Sequence, residues 1–144
     1  LYAQGGQGVD ARHGYDYVHT SMDYGPGLQV SVVAHWTNVQ LPWSARYEAR
    51  FEHAFLVYNS SQKPTLTIYR HDGPEVPEMP AHDAYYQEIR YFLDHVTSGA
   101  TLLRCPAEES RNAVALVKAE IASIERNAFV DPREFVAYTG ASLT

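Results

Sequence analysis

The chain has 144 residues, of which 45% are hydrophobic and 19% charged, a balance typical of a single globular domain. Its formal net charge of −6 disfavours nucleic acid as a partner, because binding phosphates requires a basic surface. Cys105 is the only cysteine, which excludes an intrachain disulfide and a multi-cysteine metal site and favours a reducing, cytoplasmic setting. The sequence contains no apolar run of about 18 residues, the length of a membrane-spanning helix, so no membrane span is predicted.

Alternating apolar and polar residues predict antiparallel strands in the first half of the chain. Segment 15–24 is one candidate and segment 28–38 the next, with the turn signal Gly25-Pro26-Gly27 between them. The second candidate strand directs an apolar set to one face, namely Val30, Val32, Ala34 and Trp36. Polar side chains of both segments then share the opposite face, and they include Tyr17, His19, Gln29, Ser31 and His35.

The same alternation continues through segment 45–58, which predicts one long strand, and segment 65–70 predicts a shorter one. In the long strand, His53 falls on the apolar face, where we expect a hydrogen-bonded core histidine. The opposite face carries charges, namely Arg46, Glu48, Arg50 and Glu52. These charged residues either form a solvated face or, because arginine and aromatic residues are enriched at interfaces, a contact between subunits.

Two amphipathic helices follow a proline-containing extended connector at 72–80. The apolar stripe of the first helix predicts that it covers the sheet, and Gly99 is its expected C-terminal cap. Pro106 and the acidic pair Glu108 and Glu109 predict the start of the second helix, and Asn127 its end. The stripe expected to be buried in the second helix is Ala113, Val114, Val117, Ile121 and Ile124. From residue 129 onward, we expect a short edge strand.

Two residues are candidates for binding a substrate. His35 lies on the polar face and has the side chain best suited to exchanging a proton near neutral pH. Trp43, in the loop before the long strand, either lines a sugar site or plugs the edge of the core, and we favour the plug. No histidine pair has the spacing of a metal site, and Cys105 lacks the signature of a nucleophile, so we predict no metal site and no catalytic residue.

Gly6-Gln7-Gly8-Val9-Asp10-Ala11 matches the letters of a dinucleotide-binding fingerprint, G-x-G-x-x-A. That fingerprint requires a helix directly after it, and the following residues lack an apolar helical stripe. We therefore interpret this segment as a glycine-rich loop between strands, with no cofactor-binding residue.

The helical part of the chain resembles the C-terminal domain of the glucose–fructose oxidoreductase / inositol dehydrogenase (Gfo/Idh/MocA) family. The first helix has Glu88-Ile89, then Phe92-Leu93, then the turn Ser98-Gly99. The second begins Cys105-Pro106-Ala107-Glu108-Glu109 and continues Ala119-Glu120-Ile121-Ala122-Ser123. The order and spacing of these pieces carry the resemblance, which is weaker in the strands of segment 15–70.

The resemblance implies that residues 1–144 form the single C-terminal sheet domain of an NAD(P)-dependent oxidoreductase acting on a sugar, cyclitol or related hydroxyl compound. NAD or NADP, and the catalytic residues, would then belong to an N-terminal Rossmann domain absent from this chain. Because the chain begins with Leu1 rather than Met, we expect residues upstream of it in the native protein. We expect the fragment alone to be inactive and to form a homo-oligomer through the open sheet face.

The predicted fold is therefore α+β, a large and mainly antiparallel sheet with two helices packed on one face and the other face open. The alternative is a freestanding α+β module that binds a ligand or dimerises. A hydrolase that uses His19 or His35 lacks a serine or cysteine elbow to support it.

Overall fold

A computed structural model describes residues 1–8, 14–101 and 104–136, and these residues form a small α+β fold. The predicted class, antiparallel strands with two helices, is confirmed. The strands are β1 (Tyr2–Gly6), β2 (Tyr17–Asp23), β3 (Gln29–His35), β4 (Arg46–Arg50), β5 (Ala54–Asn59), β6 (Leu66–Arg70) and β7 (Gly73–Glu75). The helices are α1 (Ala84–Ser98), α2 (Ala107–Arg126) and a 3₁₀-helix at Pro132–Phe135.

The chain forms two compact units, and each unit contains its own sheet. The first unit comprises Leu1–Gln40 and Thr101–Thr144, and the second comprises Leu41–Ala100. The first contains a three-stranded antiparallel sheet in the order β1-β2-β3, and the second a four-stranded one in the order β4-β5-β6-β7. The sequence predicted one large sheet; alternation alone does not reveal where hydrogen bonding between successive strands stops.

The first sheet confirms the predicted hairpin and its polar face, but two members of the predicted apolar set, Ala34 and Trp36, are exposed. Gly25 and Gly27 both have positive φ in the β2–β3 turn, which the Tyr24 amide closes by donating to the Leu28 carbonyl at 3.0 Å. The register places alternate residues of β2 and β3 on a common solvent-facing side, as predicted: Tyr17, His19, Gln29, Ser31 and His35. β1 was not predicted, because its glycines weaken the signal of a strand.

Helix α2 packs on β1 with a face of small residues. Its buried residues are Ala115, Ala119, Ala122 and Ser123, whereas Val114, Val117 and Ile121 are exposed. The predicted stripe was therefore wrong for most of its members, and the glycines of β1 explain why. At Gly5 there is no room for a Cβ atom, which would lie 2.6 Å from the Tyr17 carbonyl oxygen and 2.9 Å from Ile124 Cδ1.

Hydrogen bonds from the rest of the chain occupy the outer edge of β1 at Leu1 and at the Ala3 amide. The Leu1 and Val130 backbones bond each other twice, at 2.8 and 2.9 Å. The Ala3 amide donates to the Ser123 hydroxyl at 2.9 Å, and that hydroxyl donates to the Ala128 carbonyl at 2.7 Å. Residues 129–136 do not form the predicted edge strand: Val130 bonds Leu1, and the chain continues as the 3₁₀-helix. Residues 137–144 lie outside the described residues.

In the second unit, the predicted strand 45–58 is a hairpin. β4 ends at Arg50 and β5 starts at Ala54, and the Phe51 amide closes the turn by donating to the Ala54 carbonyl at 2.8 Å. His53 lies in this turn with an exposed side chain, 3.6 Å from the Glu52 carboxylate, and is not a core histidine. The turn contains neither glycine nor proline, so the sequence carries no signal for it.

The ends of both long helices follow the predicted local signals. Gly99 ends α1 and Asn127 ends α2, each with a positive φ. The Asp83 carboxylate caps α1 by accepting the Tyr86 amide at 2.8 Å. The predicted packing of helix on sheet is seen for α2, whereas α1 contains no buried residue and exposes its apolar stripe, namely Tyr85, Ile89, Phe92, Leu93 and Val96.

Replacing Gly5 by alanine should destabilise the first unit. Both the Tyr17 backbone and α2 would have to move, and overpacking of this kind costs roughly 1–3 kcal/mol. Gly8→Ala is the matched control, because a Cβ at Gly8 meets its nearest neighbour at 3.7 Å. Urea denaturation followed by circular dichroism gives the two free energies of unfolding, and equal values would contradict the packing argument.

Asp131 should titrate well below an ordinary aspartate. Hydrogen bonds from the Arg133 guanidinium and then from the Arg133 amide lower the pKa of Asp131 from 3.8 to about 2. Since the folded-state pKa is depressed, the stabilisation by ionised Asp131 is complete above pH 3.8 and is lost as the pH falls through about 2.

A carboxyl titration by NMR checks this value. Arg133→Ala should raise the pKa of Asp131, and Arg126→Ala, which removes the ion pair with Glu134, should leave it unchanged. A wild-type midpoint at the ordinary value would contradict the assigned hydrogen bonds.

Candidate functional site

A groove of about 730 Å³ runs along α2 in the first unit, where α2 passes the ends of β2 and β3. Its volume is in the range of small-molecule sites, roughly 300–1,000 Å³. The lining combines apolar, aromatic and polar side chains, which is the composition expected for a site that orients a small ligand.

Aromatic rings form the wall at the strand ends. Tyr15, Tyr17 and Trp36 line the groove, and Trp36 is 78% exposed. The Trp36 amide donates to the Asp16 carbonyl at 2.6 Å, which continues the β2–β3 ladder past its last strand pair and fixes the backbone that carries the indole. An exposed ring on a fixed backbone gives a ligand a flat apolar surface at little cost in conformational entropy.

Exposed branched residues of α2 line the other wall of the groove. Val117 and Ile121 belong to the stripe that the sequence predicted to be buried, and in the structure they line the groove beside the half-buried Ile124. Their exposure follows from the close approach of α2 to β1 through its alanine face. The apolar stripe thus lies on the side of α2 that faces the groove.

Two carboxylates of α2 supply polar groups. Glu120 Oε1 accepts a hydrogen bond from the hydroxyl of the fully buried Thr20 at 2.7 Å, which holds the carboxylate in place. Glu125 lines the same groove, and within the described residues it makes neither a hydrogen bond nor an ion pair. Asp16 also lines the groove, and its carboxylate accepts the Gly8 amide at 2.8 and 2.9 Å.

Of the two predicted substrate residues, His35 lines this groove and Trp43 does not. His35 lies directly opposite Tyr17 in the β2–β3 register. Trp43 lies in the second unit before β4, and its 81% exposure shows that it does not plug a core. Sequence reasoning missed Glu120 and Glu125, because Glu120 meets Thr20 across 100 positions of sequence and no local signal links them.

The predicted interface residues lie in the second unit. Arg46, Glu48 and Arg50 alternate along β4 and therefore share a face, and Arg46 and Glu48 form an ion pair on it. The neighbouring strands add Phe55, Val57 and Tyr69 to the same face. Glu52 is in the β4–β5 turn rather than on this face, because the strand ends at Arg50.

A second groove, of about 710 Å³, lies along α2 near the β2–β3 turn. Met22, Leu116 and Phe129 line it, together with Asp23 and the ion pair of Asp131 and Arg133. The Asp23 carboxylate accepts the Gly25 amide, and Asp131 is paired with Arg133. The carboxylates of this groove are therefore engaged within the chain, whereas Glu125 in the groove at His35 has no such partner among the described residues.

The fingerprint-like segment is described only in part, since residues 9–13 lie outside the described residues. Gly6 ends β1, and the Gly8 amide is engaged by Asp16. Within the described ranges, no group of three or more histidine, cysteine or acidic side chains has the arrangement of a metal site. In the same ranges, neither α1 nor α2 combines the length and apolarity of a membrane-spanning helix.

In comparisons with known proteins, no family model, no curated protein and no solved structure matches this chain.

Proposed function

We propose that this chain is the substrate-binding and assembly region of a cytoplasmic NAD(P)-dependent oxidoreductase that acts on a sugar, cyclitol or related hydroxyl compound. The observation that supports this most is the groove at His35, with aromatic rings on the strand side and both apolar residues and carboxylates along α2.

This lining fits the two kinds of surface that a polyhydroxylated ring presents. The C–H faces of such a ring match the exposed indole of Trp36 and the branched side chains of Val117 and Ile121. Its hydroxyl groups match the carboxylates of Glu120 and Glu125, which are strong hydrogen-bond acceptors. A charge-assisted hydrogen bond from a hydroxyl to Glu120 is favoured because Thr20 already holds that carboxylate in position.

His35 is the groove residue best suited to handling a proton. Oxidation of a hydroxyl group requires a proton acceptor near the reacting oxygen and a hydride acceptor near the carbon. The imidazole of His35 has a ring nitrogen that can accept the proton in the first role. The proposal assigns the second role to NAD or NADP, held by a Rossmann domain elsewhere in the full protein, together with the principal catalytic residues.

The face of the second sheet that bears Arg46, Glu48 and Arg50 is the proposed surface for homo-oligomer formation. It combines charged side chains with Phe55 and Tyr69, and this mixture of arginine and aromatic residues is enriched at protein interfaces.

The alternative is a freestanding α+β module that binds a ligand or dimerises without any redox chemistry. One observation favours it, because every residue lining the groove belongs to the first unit, so the site needs no other domain to be built. The two proposals agree on ligand binding and differ on the cofactor.

The isolated chain should bind polyols weakly at this groove. Titration with myo-inositol and with glucose, followed by NMR, should shift the indole resonance of Trp36. Trp36→Ala should weaken binding by about 3- to 10-fold, the equivalent of roughly 0.7–1.4 kcal/mol. Trp43→Ala is the matched control, because Trp43 is equally exposed but lies outside the groove, and it should bind like the wild type. Equal losses in the two variants would overturn the assignment of the groove.

A second prediction separates the oxidoreductase from the freestanding module. The isolated chain should bind neither NAD nor NADP in calorimetry, because the proposal places the dinucleotide on another domain. The product of the complete native reading frame should bind one of them and reduce it when a polyol is added. Micromolar binding of a dinucleotide by the isolated chain would contradict the first proposal, and a full-length product that binds a polyol but no dinucleotide would favour the module.

A further inference from the structure

The two edges of the first sheet differ in how they are closed. At β1, the Leu1 and Val130 backbones bond each other, and the Ala3 amide is bonded by the Ser123 hydroxyl. At β3, no further strand of the described residues pairs with the sheet. An edge strand with free backbone groups is a template for another strand, and proteins normally protect it.

The hydrogen-bond pattern identifies which groups of β3 point outward. The Tyr24 amide bonds the Leu28 carbonyl, and the Trp36 amide bonds the Asp16 carbonyl. In an antiparallel ladder, hydrogen-bonded residues alternate, so Val30, Val32 and Ala34 bond β2. The intervening residues direct their amides and carbonyls away from the sheet, and they are Gln29, Ser31, Val33 and His35. Within the described residues, none of these outward groups has a partner.

β3 also lacks the features that usually block strand addition. Its seven residues include no lysine, no arginine, no acid, no proline and no glycine. It pairs with β2 along its full length without a bulge, and Val33, next to its central residue Val32, is 68% exposed. A strand of this composition, with high β-propensity and no charge, is suited to pairing.

We propose that β3 is a strand-addition site whose occupant is β3 of a second copy of this chain, in antiparallel orientation about a two-fold axis at Val32. This register aligns the outward groups of both copies, because each outward residue then faces another outward residue. Ser31 of one copy pairs with Val33 of the other, and Gln29 pairs with His35. Each such pair exchanges two hydrogen bonds, giving about eight across the joint.

The side chains match in the same register. Val32 meets Val32, and Val30 meets Ala34, so apolar residues meet on the side that faces α2. On the solvent side, Gln29 meets His35 and Ser31 meets Val33, so no like charges are opposed. A peptide from another protein would need the same alternation of apolar and polar residues to pair in this way, whereas β3 of a second copy already has it. The resulting six-stranded sheet uses the edge of the first sheet, not the β4 face proposed above for assembly.

Val33→Pro tests the joint selectively. Proline removes the Val33 amide, which points outward, and leaves the bonds between β3 and β2 intact. In sedimentation equilibrium, the wild-type chain should self-associate and Val33→Pro should raise the dissociation constant at least tenfold. Val33→Thr is the control, because threonine keeps the amide and the β-propensity, and it should associate like the wild type.

Val33→Lys gives a second variant in case the proline disturbs folding. The exposed side chain at this position accommodates a lysine, and the two lysines of a pair would lie diagonally across the joint and repel. It should also weaken association, with an unchanged circular dichroism spectrum.

Hydrogen exchange of the Ser31 and Val33 amides supplies an independent readout. Their protection should increase with protein concentration, whereas the protection of Val30 and Val32 should not. A monomer at every concentration, or a self-association that both variants retain, would overturn the proposal. Protection of Ser31 and Val33 that is independent of concentration would also overturn it, because the edge would then be closed within one copy.

Discussion

The close approach of α2 to β1 is the constraint on which the first unit depends. Gly5 has no room for a side chain, and α2 meets the strand with alanines and Ser123 rather than with its larger residues. Because Ser123 bonds both the Ala3 amide and the Ala128 carbonyl, the helix and the tail after it close the β1 edge together. The larger side chains Val117 and Ile121 then lie beside the groove. In the part of the chain that the structure describes, β3 forms the opposite edge of the sheet.

Features encoded by neighbouring residues were predictable from the sequence. The ends of α1 and α2 follow from Gly99 and Asn127, which adopt positive φ, and the β2–β3 turn follows from Gly25 and Gly27. The alternation in β3 correctly assigned His35 to the polar face, since the period of a strand is two whatever it packs against. The α+β class followed from these local signals.

Features that depend on distant residues were not predictable. The β4–β5 turn interrupts an alternation that continues through Phe51 and His53, so the sequence indicated one strand where there are two. Which face of α2 is buried depends on Gly5, more than a hundred positions away. Judged by hydrophobicity alone, Val117 was expected to be buried. Glu120 was not predicted as a groove residue for a similar reason. Its partner Thr20 lies on a distant strand, which the helix contacts only in the folded chain.

The Glu120 carboxylate has two roles, because it accepts the hydrogen bond from Thr20 and also lines the groove. The hydroxyl of Thr20 is wholly enclosed, and without an acceptor it would be left unsatisfied at a cost of roughly 1–3 kcal/mol. A substitution of Glu120 that changes which ligand the groove binds therefore also lowers the stability of the fold. Glutamine is the mildest such substitution, since its amide oxygen still accepts the hydroxyl. Substitutions that change the ligand bound by this groove are thus better tolerated at Glu125, which accepts no buried hydrogen bond within the described residues.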